Sequence, residues 1–347
     1  MPCGRSPLSE INIMTTESKE QYRMGIFLIF AAIMTAVMLP ATTARGEPAP
    51  PGVTFLPAWI PQAQFAGYYM ALDKGFYRQR GLDVVILDGG PGARVDKLLP
   101  SGAAMFATLP LAEVLKLRDS GAPVVHLAQV SQRSALMLVA RKSRGVLSLK
   151  DLEGKKAAVW DAFSTQPLAL FKRNNLNVKV VPQGTTVNLF LRGGVDAISA
   201  MWYNEYHLIL NSGLDEEDLT TVFFDRNGLN FPEDCIICMQ DLALKRPGSC
   251  SSFVKATFEG WDYAAHHKDE ALNAVLKRTE KAKAPTNRNH QRWMLDRMCE
   301  LITPAKAGTA TGELAVEDFR RVADELKSGG QIKSAPAFEE FHAQTAP

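Results

Sequence analysis

The 347-residue chain is predicted to be an α/β protein of two lobes, hinged as a clamp around a ligand cleft. Three observations carry this reading. From Val53 onward, short apolar runs alternate with helical segments, as in parallel βαβ units. The alternation restarts after residue 143. After the second series comes an apolar strand, Cys235–Met239, that would return the chain to the first lobe.

The elements follow in order. Val53–Leu56 reads as a strand, Ala66–Arg80 as a helix stopped by Gly81, and Asp83–Leu87 as a second strand. A Gly/Pro-rich loop at Asp88–Gly92 precedes a short helix over 93–100 and a strand at Met105–Ala107. A helix at Leu111–Ser120 is stopped by Gly121, and strands follow at Val124–Val130 and Leu136–Ala140. In the second series, Ser148 N-caps a short helix over 149–153, and strands are expected at Ala157–Trp160, Lys179–Pro182 and Ala197–Ala200. Helices are expected between and after them at Thr165–Asn174, Thr186–Arg192 and Tyr203–Asn211. Residues 252–345 read as helical, with breaks at Glu280–Pro285 and Thr303–Gly312. The expected organisation is a leader over 1–44, a linker over 45–52, a first lobe from 53–142 and 237–347, and a second lobe over 143–236.

Composition narrows the function classes. Hydrophobic residues make up 46% and charged residues 22%, values of a globular protein. With 39 basic and 37 acidic residues and no charge run, nothing favours a nucleic-acid or lipid partner. Arg23 precedes the weakly polar to apolar run Ile26–Leu39, followed by Pro40 and the small residues ATTA. That order is a secretory signal with cleavage expected near Ala44, and 14 residues are too few to span ~30 Å of hydrocarbon. Met14 and Met24 are alternative starts. Four cysteines remain after cleavage, Cys235, Cys238, Cys250 and Cys299, and three pairings stay open. Cys235 and Cys238 form a CxxC on a strand, so their side chains point to opposite faces, which disfavours a direct bridge.

The most informative stretch is WIPQAQFAGYYMALDKGFYRQRGLDVVI, Trp59 to Ile86. Aromatic rings beside uncharged amides suit a pocket for a flat, polar-edged small molecule. The segment resembles the opening signature of periplasmic substrate-binding proteins of ABC importers for thiamine pyrimidines, riboflavin and nitrate or sulfonate. The resemblance is best to the thiamine-precursor branch. It continues through GAPVVHLAQVSQRSALMLVARKSRG at 121–145, DLEGKKAAVW at 151–160 and VDAISAMWYNEYHLIL at 195–210. It implies the two-lobe, type II-like periplasmic-binding-protein fold and a soluble periplasmic monomer. The protein would carry an aromatic heterocycle to a permease and ATPase, without catalytic residues, metal or cofactor.

Open α/β sheets bind ligands beyond the carboxyl ends of their strands. This places Trp59, Gln62, Gln64, Tyr69, Ser131, Trp160, Phe163, Ser164, Trp202, Tyr203, Asn204 and Glu205 as candidate ligand contacts. Trp59 would stack on the ring, and Gln62 and Gln64 are expected at the surface or cleft. Of the adjacent tyrosines on one helix, Tyr69 is expected to face the cleft and Tyr68 to pack. Ser164 is an N-cap or an anion ligand, and Arg133 an anion contact or a hinge-side surface charge. By the resemblance, Glu205 matches the acid that pairs with a pyrimidine amine, and a carboxylate is suited to that donor edge. The same fold family includes a pyrimidine synthase branch with a characteristic lysine, histidine and cysteine cluster. Here Leu109 stands at the lysine and Glu113 at the histidine, and Asn230–Glu233 holds no cysteine. Leucine cannot form an imine, which disfavours the enzyme reading.

Overall fold

The computed structural model describes residues 52–304 and 310–343. The expected leader and most of the linker lie outside the described residues. No helix among the described residues is long and apolar enough to cross a membrane.

Two five-stranded sheets organise the chain. The first contains β1 (Gly52–Leu56), β2 (Asp83–Ile86), β3 (Phe106–Leu109), β4 (Val124–Gln129) and β10 (Cys235–Met239), in the order β2-β1-β3-β10-β4. β1 runs parallel to β2 and β3, whereas β10 runs antiparallel to both its neighbours. The return strand thus lies inside the first sheet. The second sheet contains β5 (Leu136–Arg141), β6 (Lys156–Val159), β7 (Lys179–Pro182), β8 (Ala197–Met201) and β9 (Leu219–Phe223), in the order β7-β6-β8-β5-β9.

Three features differ from the sequence expectation. Leu136–Arg141 was assigned to the first lobe, but it pairs antiparallel with β8 and β9, so the crossing precedes Leu136. Its uniformly apolar pattern suits either sheet, and pairing decides. β9 was not anticipated. It is an edge strand following the acidic turn Asp215–Asp218. The expected helix Ala66–Arg80 is two helices, Ala66–Asp73 and Phe76–Gln79, because Gly75 adopts φ 76° between them. Ser148 caps as expected, in a reciprocal box with Asp151, over a single 3-10 turn.

The first lobe's core is aromatic. Phe106 stacks on Phe253 at 4.2 Å and Tyr77 stacks on the same ring at 5.2 Å. Helix Pro247–His266 brings Phe253 in and crosses helix Ala66–Asp73 closely. A Cβ on Gly260 would lie 2.1 Å from the Gly67 carbonyl oxygen, so the crossing admits no side chain there. Met137, Val139, Phe190, Ile198 and Ile209 form the second lobe's own core.

Hydrogen bonds zip the two crossing segments together. Gln129 Nε2 donates to the Ser131 and Glu233 carbonyls at 2.9 and 2.5 Å. The Ser134 amide donates to Asn230 Oδ1 at 2.7 Å. Helix Arg288–Ile302 straddles the lobes. The Ala63 amide of the first lobe donates to Gln291 Oε1 at 2.7 Å, while Trp293 Nε1 donates to the Trp202 carbonyl of the second at 3.0 Å.

Candidate functional site

The carboxyl ends of β1, β4 and β8 and the amino end of β10 converge between the lobes. The first group there is a chain of amides ending on an acid. Gln62 Nε2 donates to Gln64 Oε1 at 2.6 Å, and Gln64 Nε2 donates to both oxygens of Asp234 at 2.9 and 3.1 Å. The buried Ser131 side chain lies beside this carboxylate and favours its charged form. Both glutamines are therefore buried, each 6% exposed; of the two expected placements, surface or cleft, the open surface is ruled out. The short turn Ala63–Phe65 carries them inward.

Asp234 and its neighbour Glu233 are the residues that sequence reasoning missed. Both are 3% exposed. Asp234 holds φ 56°, a left-handed conformation that Asp tolerates better than most residues. Glu233 accepts from the Ser134 hydroxyl at 2.8 Å and the Ala135 amide at 3.0 Å. Burial pushes the Glu233 carboxyl up to about 8 and that of Asp234 up to about 7, against the lowering effect of those hydrogen bonds. The available signal was the acid pair in FPEDCIIC, directly ahead of an apolar strand.

The loop after β8 supplies the opposing wall. Tyr203 is buried, and its hydroxyl is raised well above the ordinary value by burial and then by the charges of Asp234, Glu233 and Glu205. One phenol thus senses three carboxyls. Glu205 accepts from the Met201 amide at 3.0 Å and Asn204 Nδ2 at 2.7 Å. The residue keeps some exposed surface, but its carboxyl is enclosed, and burial pushes it up to about 7. Trp202 lies under the Arg297 guanidinium, 5.0 Å from its ring centroid.

The remaining candidates are arranged around this centre or turned from it. Trp59 is half-buried, and Gly89 makes room for its carbonyl oxygen, which would lie 2.3 Å from a Cβ there. The Gly89–Gly90 turn therefore serves close backbone approach. Tyr69 turns toward helix Lys268–Lys281, with the Arg278 guanidinium 4.5 Å above its ring, and its hydroxyl lies near the Gln62 backbone. It braces the β1 loop. Tyr68 is the tyrosine near Asp234, and its buried hydroxyl has no hydrogen-bond partner. Trp160 donates to the Gly184 carbonyl at 3.0 Å and meets the Phe163 ring edge-on at 6.1 Å. Phe163 lines a small pocket with Pro110, Ala112, Thr165, Gln166 and Phe231. The Ser164 hydroxyl donates to the Asp161 carbonyl at 2.8 Å and caps no helix amide. Arg133 donates to the Glu300 carbonyl at 3.2 Å, a bond between the crossing segment and the straddling helix.

The centre is rich in acceptors and protonatable oxygens, suited to reading the hydrogen-bond donors of a small molecule. Cys235 Sγ bonds Gln129 Oε1 at 3.1 Å, while Cys238 lies beside Cys250, so the two CxxC side chains face opposite ways.

Comparison with known proteins agrees with this architecture. The chain is 24% identical over 337 residues to the riboflavin-binding protein RibY of Chloroflexus aurantiacus, covering 90% of this chain and 95% of that one. It is 22% identical to the formylaminopyrimidine-binding protein of Halalkalibacterium halodurans, covering 75% and 80%. A 4-amino-5-hydroxymethyl-2-methylpyrimidine phosphate synthase of Legionella pneumophila matches at 21% over 67% of this chain and 75% of its own length. The fold is that of the periplasmic aliphatic sulphonate binding protein SsuA from Escherichia coli, with TM-score 0.67 at 14% identity, covering 86% and 99%. Residues 62–271 match the family described as NMT1/THI5 like, and the chain belongs to that family.

Proposed function

We propose that this protein is the periplasmic solute-binding component of an ABC importer. It takes a small planar heterocycle, such as a pyrimidine thiamine precursor or a riboflavin-like compound. It hands this ligand to a permease served by an ATPase. The observation that carries the reading is the convergence of Gln64, Asp234, Tyr203 and Glu205 between two sheets at their ligand-binding ends. Their acceptors read amino or imino hydrogens, and Trp59 and Trp202 supply flat apolar surface. The names of the riboflavin- and formylaminopyrimidine-binding relatives support this choice of ligand class. The protein acts as a monomer without cofactor, exported by the leader over 1–44.

The synthase relatives motivate the rival reading of a pyrimidine-forming enzyme. The residues oppose it. Leu109 ends β3 where an imine-forming lysine would be needed, and Glu113 is paired with Lys116 at 2.9 Å. Periplasmic expression followed by native mass spectrometry and N-terminal sequencing tests the proposal. Mature protein should begin near Arg45 and carry a heterocycle that is recovered unchanged. Cytoplasmic retention at full length, or turnover of pyridoxal phosphate or histidine to a pyrimidine, would refute it.

A further inference from the structure

The straddling helix Arg288–Ile302 carries a second titratable assembly, beyond the ligand-facing acids. His290 faces His207 of the second lobe with ring centroids 5.1 Å apart and planes at 20°. Their Nδ1 atoms are 2.9 Å apart. Trp293 stacks on His207, with ring centroids 4.8 Å apart and planes at 11°. His290 Nε2 lies 2.8 Å from Asn204 Oδ1.

The network fixes the tautomer of His290. Asn204 commits its Nδ2 to Glu205, so its oxygen faces His290 and Nε2 of His290 must carry the proton. Neutral His290 then offers a bare Nδ1 toward His207 Nδ1, which also lies 3.1 Å from the Asn211 side-chain amide. His207 donates to His290 when it carries its proton on Nδ1 and Asn211 turns its oxygen to the ring. A directed chain results, from His207 to His290 to Asn204 to the Glu205 carboxylate. A second proton on His290 goes to Nδ1. With His207 protonated on Nδ1, this second proton would set two N–H donors against each other across 2.9 Å and place a cation on His290, which is only 6% exposed.

We propose that His207 and His290 form a proton-operated latch between the lobes, with His290 positioning the Glu205 side of the cleft through Asn204. Its last link rests on the reading of Glu205 as a ligand contact; the latch itself does not.

The charged surroundings set the direction. Glu205 lies behind Asn204, and Arg297 sits over Trp293 at 4.7 Å. Arg288 and Arg292 are held by Asp269 of the neighbouring helix at 3.3 and 2.5 Å, and Glu216 approaches Tyr206. The turn Ala63–Phe65 faces the helix without charge. Burial, and then the His207 charge, pushes His290 down to about 4, and burial lowers His207 as well. A depressed histidine favours the latched state fully above ~6.5, and that support is lost as pH falls toward 4. If the unlatched ring titrates ordinarily, the closing constant falls roughly thirtyfold by about pH 5. The raised carboxyls of Glu205, Glu233 and Asp234 act oppositely, so a variant comparison isolates the histidine.

The test is small-angle scattering of ligand-free mature protein from about pH 7.5 to 4.5. His290→Gln retains a donor toward Asn204 but cannot take the proton. Wild type should expand reversibly as pH falls, with native circular dichroism, while His290→Gln stays compact. Identical profiles for the two, or a wild type that stays compact throughout, would overturn the latch. NMR titration of the wild-type His290 ring needs no variant, and an ordinary midpoint near ~6.5 would overturn it equally. Because no ligand is present, a failure of the heterocycle reading leaves this outcome legible.

Discussion

Replacing Glu205 by Gln separates a buried acid's cost from its hydrogen bonds. Burial raises this carboxyl from its ordinary 4.5 to about 7. The folded state therefore keeps a proton that the unfolded chain releases, and stability is lost as pH rises from 4.5 through about 7. Integrating that linkage gives a cost of roughly 1.4 kcal/mol at pH 5.5 and roughly 3.3 kcal/mol at pH 8. Glutamine escapes this cost. It offers one acceptor oxygen where the carboxylate serves two donors, Met201 N and Asn204 Nδ2, so one donor faces an amide nitrogen. That loss costs roughly 1–3 kcal/mol at either pH. The expected result is a difference between variant and wild type that moves in the variant's favour by about 2 kcal/mol from pH 5.5 to pH 8. Urea denaturation of ligand-free protein at the two pH values measures it. A difference that is the same at both, within experimental error, would show that Glu205 is not held as a buried acid.

Two further outcomes are expected. Gly260→Ala drives a Cβ to 2.1 Å from the Gly67 carbonyl oxygen, and backbone must move. Destabilisation of roughly 1–3 kcal/mol or more should appear in chemical denaturation, and a loss under about 1 kcal/mol would mean the helices separate freely. Trp59→Ala, once shown to be folded, should weaken binding of riboflavin or formylaminopyrimidine roughly tenfold through lost stacking and burial. Unchanged calorimetric affinity for whichever compound binds would remove Trp59 from the site.

The alternation of strands and helices was legible because each element announces itself locally. β7 and β10 occupy the spans read from sequence. Sheet membership was not legible, since Leu136–Arg141 presents the same apolar run to either partner and is decided by pairing with β8 and β9. In the site, the loops after β1 and β8 stood out by their aromatic and amide content. Glu233 and Asp234 did not, because acids flanking a strand ordinarily face water. Their burial depends on Gln64, Ser131 and Ser134, distant in sequence. Helix Arg288–Ile302 reads as one more helix until its His290 and Trp293 meet the second lobe.

The central position of β10 has a consequence for how the chain is made. β5 to β9 form one contiguous stretch, Leu136–Phe223, so the second sheet is complete once that stretch is available. The first sheet begins earlier yet finishes later. β3 and β4 must wait for a strand about a hundred residues downstream to enter between them. Until Met239 has arrived, two strand edges rich in apolar residues have no partner, and self-association competes with folding. The lobe that opens the sequence is thus the later of the two to become native. Truncations ahead of β10 should leave it, rather than its neighbour, in an aggregating state.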